Sequence, residues 1–551
     1  MMASRATIKE WLGISVEKYA DRPSFAFVGE TPITYGEFGV KVNQLSVYLQ
    51  GRNIQKGDRI GIYSTNMPNW MVSYFSIANL GAVAVPMLPD FHQEEIRNII
   101  KHSGLQMMFV SENLYYKIKD LEELKDVDLL LIDRFCEIPK GAEKDELKKL
   151  STIEFADNEL AEVGVEEDDL VSIIYTSGTT GKSKGVMLTH KNFITNAFAA
   201  KKIQSIDEQD RFLSFLPLSH ALEFTVCTLI AFLSGSAVFF LTKPPTPNVL
   251  LPALKQVKPT VMLTVPLIME KIYKGKVLPQ FNANPVLKFL YHHTPVRRLL
   301  NRAAGKKLME TFGGCLKFYG IGGAKLDGTV EKFLHEVKFP YAIGYGLTET
   351  APLLAGANPQ HTKLYSTGPA IEGVEMKILN PDPKTGEGEI VVKGPNVMKG
   401  YYKQPDLTKE VFTEDGWFRT GDLGAFDKDG FLFIRGRLKN MILGASGENI
   451  YPEEIETVIN NFRYVLESIV VERKGKLVAL VHLNMEEFEV KFEQFKEDLH
   501  RMEEVVDAHL EELQQYVNSR VNKFSQVQLV VAQSNPFEKT ATHKIKRFLY
   551  E

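Results

Sequence analysis

A loop rich in glycine and hydroxyl groups is the segment of this sequence best suited to bind an anion. Residues Tyr175–Gly185 read Tyr-Thr-Ser-Gly-Thr-Thr-Gly-Lys-Ser-Lys-Gly and follow the apolar run Leu170–Ile174. Glycines let the backbone approach an anion, hydroxyl groups donate hydrogen bonds, and Lys182 and Lys184 add positive charge. The loop is not a Walker A motif, because that motif requires glycine where this chain has Thr176. The pattern therefore predicts a phosphate-binding loop of another class, with an ordinary polar turn as the alternative.

Four shorter motifs carry further groups that nucleotide chemistry uses. They are Tyr319–Ala324 (YGIGGA), Gly344–Thr350 (GYGLTET), Trp417–Asp422 (WFRTGD) and Gly436–Asn440 (GRLKN). In GYGLTET, a carboxylate between two threonines suits a Mg²⁺ ion that keeps most of its waters and meets a nucleotide phosphate. YGIGGA is not a dinucleotide-binding GxGxxG motif, because Lys325 occupies the third glycine position. Taken singly, each motif is also explained by a packing turn or by a solvated charged side chain.

Together and in this order, four of these motifs (the phosphate loop, GYGLTET, WFRTGD and GRLKN) resemble those of the acyl-adenylate-forming superfamily of AMP-binding enzymes, which includes acyl-CoA synthetases and luciferases. The resemblance spans about residues 33–546. Within the superfamily, Gly447–Glu456, the spacer over residues 266–313 and the ending Thr542–Arg547 are similar to long-chain fatty acyl-CoA synthetases. One departure is Ser183, which stands where the family usually has proline. Because proline fixes φ, serine should loosen the loop slightly without removing a ligand.

The resemblance implies a reaction and a set of nucleotide-binding residues. A fatty carboxylate would attack the α-phosphate of ATP to give acyl-AMP and pyrophosphate, and a thiol would then displace AMP from the acyl carbon. The implied ligands are Thr176, Ser177, Gly178, Thr179, Thr180, Gly181 and Lys184 for the β- and γ-phosphates, Thr348 for the α-phosphate, and Glu349 with Thr176 for Mg²⁺. Tyr345, Gly323 and Ala324 would line the adenine, Asp422 and Arg437 would bind the ribose hydroxyls, and Gly346 belongs to the same nucleotide-binding set.

Three more residues receive roles from the resemblance alone. Lys544 matches the catalytic lysine, which bridges carboxylate and α-phosphate and stabilises the charge that develops there. Lys546 is the alternative, and a solvated basic tail is the simpler interpretation of both. His220 matches the residue that lines the passage between acyl and adenylate sites, although a core histidine fits the sequence nearly as well. Lys439 matches the hinge about which the C-terminal domain rotates; a solvated linker residue is the alternative.

Apolar runs that alternate with helical patterns indicate the elements that position these groups. Strands separated by helices require crossover connections, and therefore a largely parallel sheet covered by helices. The number of units suggests two such layers. The predicted strands are Arg59–Tyr63, Ala82–Val85, Met107–Val110, Asp128–Ile132, Leu170–Tyr175, Ala237–Leu241, Val261–Val265 and Leu316–Tyr319.

The pattern changes from about Lys377, where short strands separated by glycine and aspartate turns predict antiparallel β structure. After Arg437, the sequence predicts a helix over Pro452–Phe462 and a long charged helix over about residues 485–523. We therefore predict an α/β fold in two domains. Residues 1–437 form an AMP-binding adenylation domain of two helix-covered sheet subdomains plus a β-barrel-like subdomain. Residues 438–551 form a small, mobile α+β domain that carries the catalytic lysine.

Composition excludes several other classes of protein. The 551 residues are 44% hydrophobic and 24% charged, which excludes wholesale disorder, and the net charge of −4 argues against nucleic-acid binding. Three widely separated cysteines form neither a disulfide framework nor a CxxC site, which fits a reducing compartment. The N-terminal residues lack the apolar core of a secretory signal. The apolar segment Ala221–Leu241 contains Glu223 and a Ser-Gly-Ser break, so we predict a buried helix, a turn and a strand rather than a membrane span.

These observations predict an ATP- and Mg²⁺-dependent ligase that activates a medium-to-long-chain fatty acid and transfers it to coenzyme A. Acyl carrier protein as acceptor and a non-catalytic adenylate or lipid sensor are the alternatives, the second disfavoured by Glu349, Arg437 and Lys544. We expect a cytoplasmic monomer or homodimer. The basic segment Tyr291–Lys307 mixes cations with leucine and valine, which suits either an anionic membrane surface on the inner face or a solvated helix.

Overall fold

Two large sheets form most of the molecule. The computed structural model describes residues 7–155, 159–176, 183–277, 279, 294–443, 448–491, 499–540 and 544–551. The first sheet has the spatial order Gly400–Tyr401, Lys184–Thr189, Leu170–Thr176, Val83–Met87, Arg59–Tyr63, Met107–Val110, Asp128–Leu131, Cys136–Glu137. The second has the order Tyr341–Ile343, Phe318–Ile321, Val261–Thr264, Arg211–Ser214, Ala237–Phe240, Pro23–Phe27, Ile33–Thr34. Antiparallel pairs occur only towards the edges of these two sheets as described, so the predicted helix-covered, largely parallel architecture is confirmed.

Helices cover both sheets and supply the crossovers. The α-helices are Ile8–Lys18, Tyr35–Gly51, Pro68–Asn79, Gln93–Ser103, Glu112–Tyr115, Lys144–Leu147, His190–Ile203, Ile230–Ser234, Pro247–Val257, Pro266–Ile272, Thr294–Thr311, Gly328–Glu336, Pro405–Glu410, Pro452–Ile459, Met485–Lys491 and Leu499–Asn518. The 3-10 helices are Glu122–Leu124, Thr348–Thr350, Leu438–Asn440, Lys523–Ser525 and Arg547–Leu549, and the π-helices are Leu222–Leu229 and Tyr273–Val277.

The helix Tyr35–Gly51 illustrates how local sequence and packing agree. It begins with a capping box, in which Glu37 N donates to Thr34 Oγ1 at 3.1 Å and Thr34 N donates to Glu37 Oε2 at 2.7 Å. Its apolar residues recur three or four positions apart, so one face is buried against the neighbouring helix Pro68–Asn79. The aromatic ring of Phe38 meets that of Phe75 edge to face, with 5.5 Å between centroids.

The apolar segment Ala221–Leu241 folds as its sequence predicts. A buried π-helix, Leu222–Leu229, continues into the α-helix Ile230–Ser234, and Gly235 ends that helix in the left-handed region at φ 77°. The strand Ala237–Phe240 then enters the second sheet. Within the described part of the chain, no helix is long and apolar enough to cross a membrane.

The phosphate-loop sequence is placed in a different context from the strand-to-helix turn that favours anion binding in P-loops. The strand Leu170–Thr176 pairs antiparallel with Lys184–Thr189, and Thr176 lies opposite Lys184. The loop residues between them, 177–182, lie outside the described residues. Because the next described element is a strand rather than a helix, cationic side chains and backbone N–H groups are the groups that we expect to bind an anion here.

The region after Lys377 is antiparallel, as predicted. Its four strands have the order Glu375–Leu379, Gly388–Lys393, Phe418–Phe426, Leu432–Arg437. The first and last of these strands are not paired with each other, so in the described residues this sheet is open rather than a closed barrel. The strand Phe418–Phe426 contains most of the WFRTGD motif and continues beyond it.

The residues after Arg437 build a smaller α+β unit around its own core. Three strands have the order Val465–Arg473, Lys476–Leu483, Leu529–Ala532. Ile455, Ile459 and Leu513 pack against Ala479 and Val481 in this core. The predicted helix from Pro452 ends at Ile459, and the predicted long helix is described as two, Met485–Lys491 and Leu499–Asn518, with residues 492–498 outside the description.

Candidate active site

Two neighbouring parallel strands bring the YGIGGA and GYGLTET motifs together. Phe318–Ile321 pairs with Tyr341–Ile343, and Gly344 N donates to Ile321 O at 2.9 Å where the two strands end. The motif that contains Gly323 and Ala324 therefore leaves the same sheet edge as Tyr345. In open α/β sheets, ligands bind outside the carboxyl ends of the strands, so this edge is the expected nucleotide position.

Two glycines of these motifs are required by the backbone. Gly323 has φ +86°, in the left-handed region that glycine adopts without a steric penalty. Gly346 lies in a short antiparallel pair with Leu353–Ala355, and a Cβ at this position would come within 1.9 Å of Pro352 O. Any other residue would push apart the hairpin that presents Tyr345 and Glu349.

A buried carboxylate, that of Asp422, joins the GYGLTET motif to the antiparallel sheet. Asp422 is 4% exposed and accepts a hydrogen bond from Tyr345 Oη at 2.7 Å. Arg437 Nε lies 2.8 Å from the other oxygen of Asp422, and the two residues are direct cross-strand partners. Burial raises the pKa of Asp422 above its usual range, although Arg437 and the Tyr345 hydrogen bond oppose that shift. The structure therefore unites Tyr345, Asp422 and Arg437, which the sequence analysis assigned to one nucleoside.

Glu349 lies in the 3-10 helix Thr348–Thr350 and is held by a residue that the sequence analysis did not identify. Tyr401 Oη donates to Glu349 Oε1 at 3.0 Å, and Met398 N donates to Glu349 O at 2.8 Å. Tyr401 belongs to the edge strand Gly400–Tyr401 of the first sheet. The only signal in the sequence was a Gly-Tyr-Tyr run with no obvious chemistry, so its contact with Glu349 could be found only in three dimensions.

Tyr401 also reaches the exit of the phosphate loop. Lys184 Nζ lies 5.1 Å from the centroid of the Tyr401 ring, a cation–π distance. Since Thr176 is paired with Lys184, both described ends of the loop lie beside this tyrosine. The predicted phosphate ligands Ser177, Gly178, Thr179, Thr180 and Gly181 lie outside the described residues.

The C-terminal tail is anchored so that Lys544 is separated from its neighbouring cations. Arg547 donates to Glu456 Oε1 and to Val470 O, both at 2.6 Å, and Lys539 forms a bridge with Ile545. Lys539 pairs with Glu467 at 2.5 Å, Lys546 with Glu538 at 3.7 Å and Arg547 with Glu456, so these cations serve the tail itself. Lys544 forms no such ion pair with the described residues.

The amine of Lys544 interacts electrostatically with Arg437, Asp422 and Glu349. Although Lys544 is exposed as a whole, the surrounding protein partly desolvates its amine and lowers its pKa. Arg437 lowers it further, whereas Asp422 and Glu349 oppose the shift. His220 lies in the same field: burial first, and then Lys544, lower its pKa to about 4, so its imidazole is neutral at physiological pH. Lys544 is therefore close enough to Arg437, Asp422 and Glu349 to feel their charges, whereas Lys546 pairs with Glu538.

Several contacts hold the smaller α+β unit against the rest of the chain. Lys274 Nζ donates to Asn460 O at 2.9 Å, and Asn461 Nδ2 donates to Asp327, which caps the helix Gly328–Glu336. Lys439, the predicted hinge, is exposed in the 3-10 helix Leu438–Asn440. These contacts place the tail beside the site in this arrangement.

Glu223 is a second buried acid, which the sequence analysis considered only as evidence against a membrane span. Glu223 is 1% exposed in the π-helix that follows His220, and its Oε1 has no hydrogen-bond partner among the described residues. Burial raises the pKa of Glu223 to about 8, so it is neutral near pH 7. Its apolar neighbours in sequence masked this property.

The donors near Glu349 fit a magnesium ion that is bound mainly through substrate phosphates. No group of three or more His, Cys, Asp or Glu side chains in the described residues forms a closed metal cage. One carboxylate, with its Oε2 free of hydrogen bonds to described residues, matches the few protein ligands that such an ion takes. The Thr176 hydroxyl is a second oxygen donor, on the strand end that is paired with Lys184. The donor set therefore fits Mg²⁺ that arrives with a nucleotide.

Comparison with known proteins agrees with this geometry. The family model described as AMP-binding enzyme matches residues 13–402. A long-chain-fatty-acid–CoA ligase of Drosophila melanogaster, heimdall, is 30% identical over 498 residues, which cover 82% of this chain and 72% of the relative. Fatty acyl-CoA synthetase A of Dictyostelium discoideum is 28% identical over 468 residues, covering 77% and 68%. A long-chain-fatty-acid–CoA ligase of Mycobacterium tuberculosis is 28% identical over 496 residues, covering 83% and 78%.

Solved structures share the fold over almost the whole chain. The o-succinylbenzoate CoA synthetase of Bacillus subtilis, in complex with its acyl-adenylate intermediate, superposes with a TM-score of 0.75 at 24% identity, covering 98% of each chain. The same enzyme in complex with ATP and magnesium ion gives 0.74 at 24% identity, again covering 98% of each chain. Four motifs in order, the cluster around Asp422 and a family match over most of the sequence lead to one conclusion: this chain belongs to the AMP-binding enzyme family.

Proposed function

We propose that this protein is an ATP- and Mg²⁺-dependent ligase that converts a medium-to-long-chain fatty acid to acyl-AMP and then to acyl-coenzyme A. The observation that carries the proposal is the convergence of Lys544, Glu349 and the Tyr345–Asp422–Arg437 network on one site. The choice of a fatty acid and of coenzyme A rests on the fatty acyl-CoA ligases among its relatives.

In this proposal, the nucleoside is bound by the network around Asp422. The Tyr345 ring and the Gly323–Ala324 backbone line the adenine, and Gly346 leaves room for it. Asp422 and Arg437 bind the ribose hydroxyls, because a buried carboxylate is a strong acceptor for two hydroxyl donors. Arg437 beside it keeps that carboxylate ionised against the cost of burial.

The phosphates extend from the nucleoside towards the hairpin. Thr176, Lys184 and the loop residues Ser177–Gly181 bind the β- and γ-phosphates, and Thr348 contacts the α-phosphate. Glu349 and Thr176 hold Mg²⁺, which when bound neutralises phosphate charge and orients the phosphates. Lysine and arginine charge in a partly desolvated site stabilises phosphate oxygens more than it would in water.

Lys544 supplies the charge that adenylation needs. A carboxylate oxygen of the fatty acid forms a bond to the α-phosphorus, and the bond from that phosphorus to the pyrophosphate oxygen breaks. Negative charge develops on the α-phosphate oxygens between nucleophile and leaving group, where the Lys544 ammonium stabilises it. His220, neutral and close to Lys544, lines the route by which the acyl chain and later the thiol arrive.

The second half-reaction needs a different arrangement. A thiol sulfur must reach the acyl carbon, and Lys544 serves only the first step. We propose a boundary after Arg437, with residues 1–437 and 438–551 as the two domains and Lys439 as the hinge. The 3-10 helix Leu438–Asn440 is short, and a few dihedral changes there would swing the smaller unit.

The free cysteines and the exposed cations of the basic segment bear on the surroundings of the enzyme. All three cysteines are free thiols, with Cys136 and Cys227 buried, which supports a reducing compartment such as the cytoplasm. In the basic segment, Arg297 pairs with Glu336 at 2.8 Å, whereas Arg302 and Lys306 are exposed. These exposed cations support peripheral contact with an anionic membrane, where fatty acids partition.

The test is a side-by-side assay with ATP and palmitate. Pyrophosphate release is expected only when fatty acid, ATP and Mg²⁺ are all present, and thioester is expected with coenzyme A. Thioester formed with acyl carrier protein but not with coenzyme A would change the acceptor. Absence of pyrophosphate release with fatty acids of every chain length would refute the proposal.

A further inference from the structure

Tyr401 connects two groups that the proposed function assigns to different parts of the nucleotide. Its hydroxyl donates to Glu349 Oε1 at 3.0 Å, and its ring faces Lys184 Nζ at 5.1 Å from the centroid. Glu349 is the proposed metal carboxylate and Lys184 a proposed phosphate ligand. One side chain therefore contacts both sides of the phosphate site without being a ligand of either kind.

The position of Tyr401 is fixed by the backbone. Tyr401 lies opposite Val186 in the antiparallel pair at the edge of the first sheet, and Val186 follows Lys184 by two residues on the same strand. The N–H of Tyr401 donates to Thr408 Oγ1 at 2.9 Å, and Tyr401 is only 5% exposed. The backbone pairing holds Tyr401 beside the strand that carries Lys184, and the burial of the side chain leaves its ring little room to turn away.

The hydroxyl orients the carboxylate. A phenol carries its proton at physiological pH and a carboxylate oxygen only accepts, so the Tyr401 hydroxyl is the donor of this hydrogen bond. With Oε1 of Glu349 held, Oε2 is the oxygen left for a metal among the described contacts. Groups that hydrogen-bond a metal ligand restrict its rotation, and their removal typically costs about 10- to 100-fold in metal affinity.

The ring acts separately on the lysine. An ammonium group over the face of an aromatic ring is attracted by the ring's quadrupole, most strongly where water is partly excluded. The hydroxyl contributes little to this contact, so phenylalanine at this position would retain it. The two effects of Tyr401 can therefore be separated by the choice of substitution.

We propose that Tyr401 is a positioning residue that aligns Glu349 for the metal through its hydroxyl and Lys184 for the phosphates through its ring. This inference rests on the proposed function, since it takes Mg²⁺ and ATP as the ligands of the site. It adds a residue from a third segment of the chain, which belongs to neither the phosphate loop nor the GYGLTET motif.

The experiment measures ATP binding by calorimetry in the absence of fatty acid, so that no turnover occurs. Wild type, Tyr401→Phe and Tyr401→Leu are titrated over a range of Mg²⁺ concentrations and again in EDTA. Tyr402→Phe is the matched control, because the adjacent Tyr402 ring packs on His102, 5.8 Å between centroids, and not on Glu349 or Lys184. Thermal unfolding of each variant reports on folding.

Tyr401→Phe is expected to raise the Mg²⁺ concentration for half-maximal ATP binding about tenfold, with unchanged affinity in EDTA. Tyr401→Leu is expected to show the same metal effect and, in addition, weaker ATP binding in EDTA through Lys184. Tyr402→Phe should match wild type in both. In turnover assays, Tyr401→Phe should raise the apparent KM for Mg²⁺ and leave kcat at saturating Mg²⁺ nearly unchanged.

A Tyr401→Phe protein that needs no more Mg²⁺ than wild type would overturn the inference while leaving the proposed function intact. Equal losses with Mg²⁺ and in EDTA for Tyr401→Phe, or a comparable loss in Tyr402→Phe, would also overturn it, since both point to general packing. If wild type does not bind ATP at saturating Mg²⁺, the proposed function fails and this inference fails with it.

Discussion

Replacing Asp422 with asparagine tests the nucleoside site most directly. The substitution keeps the shape but removes the charge that faces Arg437 Nε at 2.8 Å and accepts from Tyr345 Oη at 2.7 Å. A hydrogen bond to a charged group contributes about 1.5–3 kcal/mol. The Arg437 side chain is 37% exposed, so solvent screens the pair, and asparagine also escapes the cost of burying a charge. We therefore expect unfolding free energy to fall by only about 1 kcal/mol.

The effect on ATP should be larger than the effect on stability. In the proposed site, the Asp422 carboxylate accepts hydrogen bonds from the ribose hydroxyls, and asparagine offers one neutral acceptor and a donor in its place. A loss of about 2 kcal/mol in binding corresponds to an approximately 30-fold weaker ATP affinity. Calorimetric titration with ATP and Mg²⁺, without fatty acid, measures this affinity, and urea unfolding measures the stability.

The same sheet offers a matched control. Glu389 is 7% exposed on a neighbouring strand and pairs with Arg419 at 2.7 Å, whose side chain is 41% exposed. Glu389→Gln removes a similar pair outside the site and should cost similar stability with unchanged ATP affinity. The assignment of Asp422 to the ribose is refuted if Asp422→Asn binds ATP like wild type, or if both variants lose ATP affinity equally.

Four other substitutions test the remaining assignments. Glu349→Gln should slow adenylation by about 100-fold, or roughly 2.7 kcal/mol in the barrier, with the largest effect at subsaturating Mg²⁺; a rate unchanged there contradicts the metal role. Lys544→Ala should abolish acyl-AMP formation yet retain thioester formation from supplied acyl-AMP, and the same result from Lys546→Ala instead would move the role by two residues. Lys439→Pro should keep single-turnover acyl-AMP formation, since a 3-10 turn has φ near that of proline, while thioester formation collapses; loss of neither step would exclude the hinge. Glu223→Gln should make the free energy of unfolding less sensitive to pH. Because the pKa of Glu223 is raised, the wild type loses stability as pH rises from about 4.5 to about 8. In urea unfolding, the variant should therefore gain stability relative to wild type at pH 8, by at most about 5 kcal/mol, but not at pH 4.5.

The strands of the two large sheets could be predicted well because each is a short apolar run between polar turns. Met107–Val110 was predicted to the residue, and Val261–Val265 differs by one at its end. Pairing direction was harder. The strand Leu170–Thr176 reads like its parallel neighbours, but the short loop after it leads into an antiparallel partner, and nothing in the apolar run distinguishes the two cases.

Boundaries failed where tertiary packing decides them. The charged stretch from Met485 has a helical pattern over nearly forty residues, but the helix Leu499–Asn518 ends once Asn518 turns to donate to Val527 O at 3.0 Å. That hydrogen bond joins the helix end to the segment before the last strand. A periodic pattern contains no information on such a contact, because the partner is defined by the fold.

In the site, too, the sequence suggests residues that lie in motifs but not residues whose role depends on a contact in the fold. Glu349 and Asp422 could be suggested because they lie in motifs that resemble those of the family, whereas Lys544 could be suggested by the resemblance alone. Tyr401 could not be suggested in this way, since it lies 52 residues from Glu349 in sequence and tyrosine near a strand edge usually serves packing. Residues that act through a ligand rather than on the substrate have no motif chemistry of their own, and only the fold identifies them.

The position of Lys544 also bears on the domain boundary that we propose after Arg437. Its amine is desolvated beside Arg437, an arrangement of two cations that is unfavourable unless negative charge lies between them. Asp422 and Glu349 supply part of that charge, and in the proposed reaction the α-phosphate supplies the rest. In the proposed second step AMP leaves, and if the thiol arrives past His220, as we propose, the charge of Lys544 lies close to that route. A cation that favours the first step and obstructs the second is best carried on a separate unit. The described contacts of that unit with the rest of the chain are polar and include those of Lys274, Asn461 and Tyr451, which a rotation can break and water can replace.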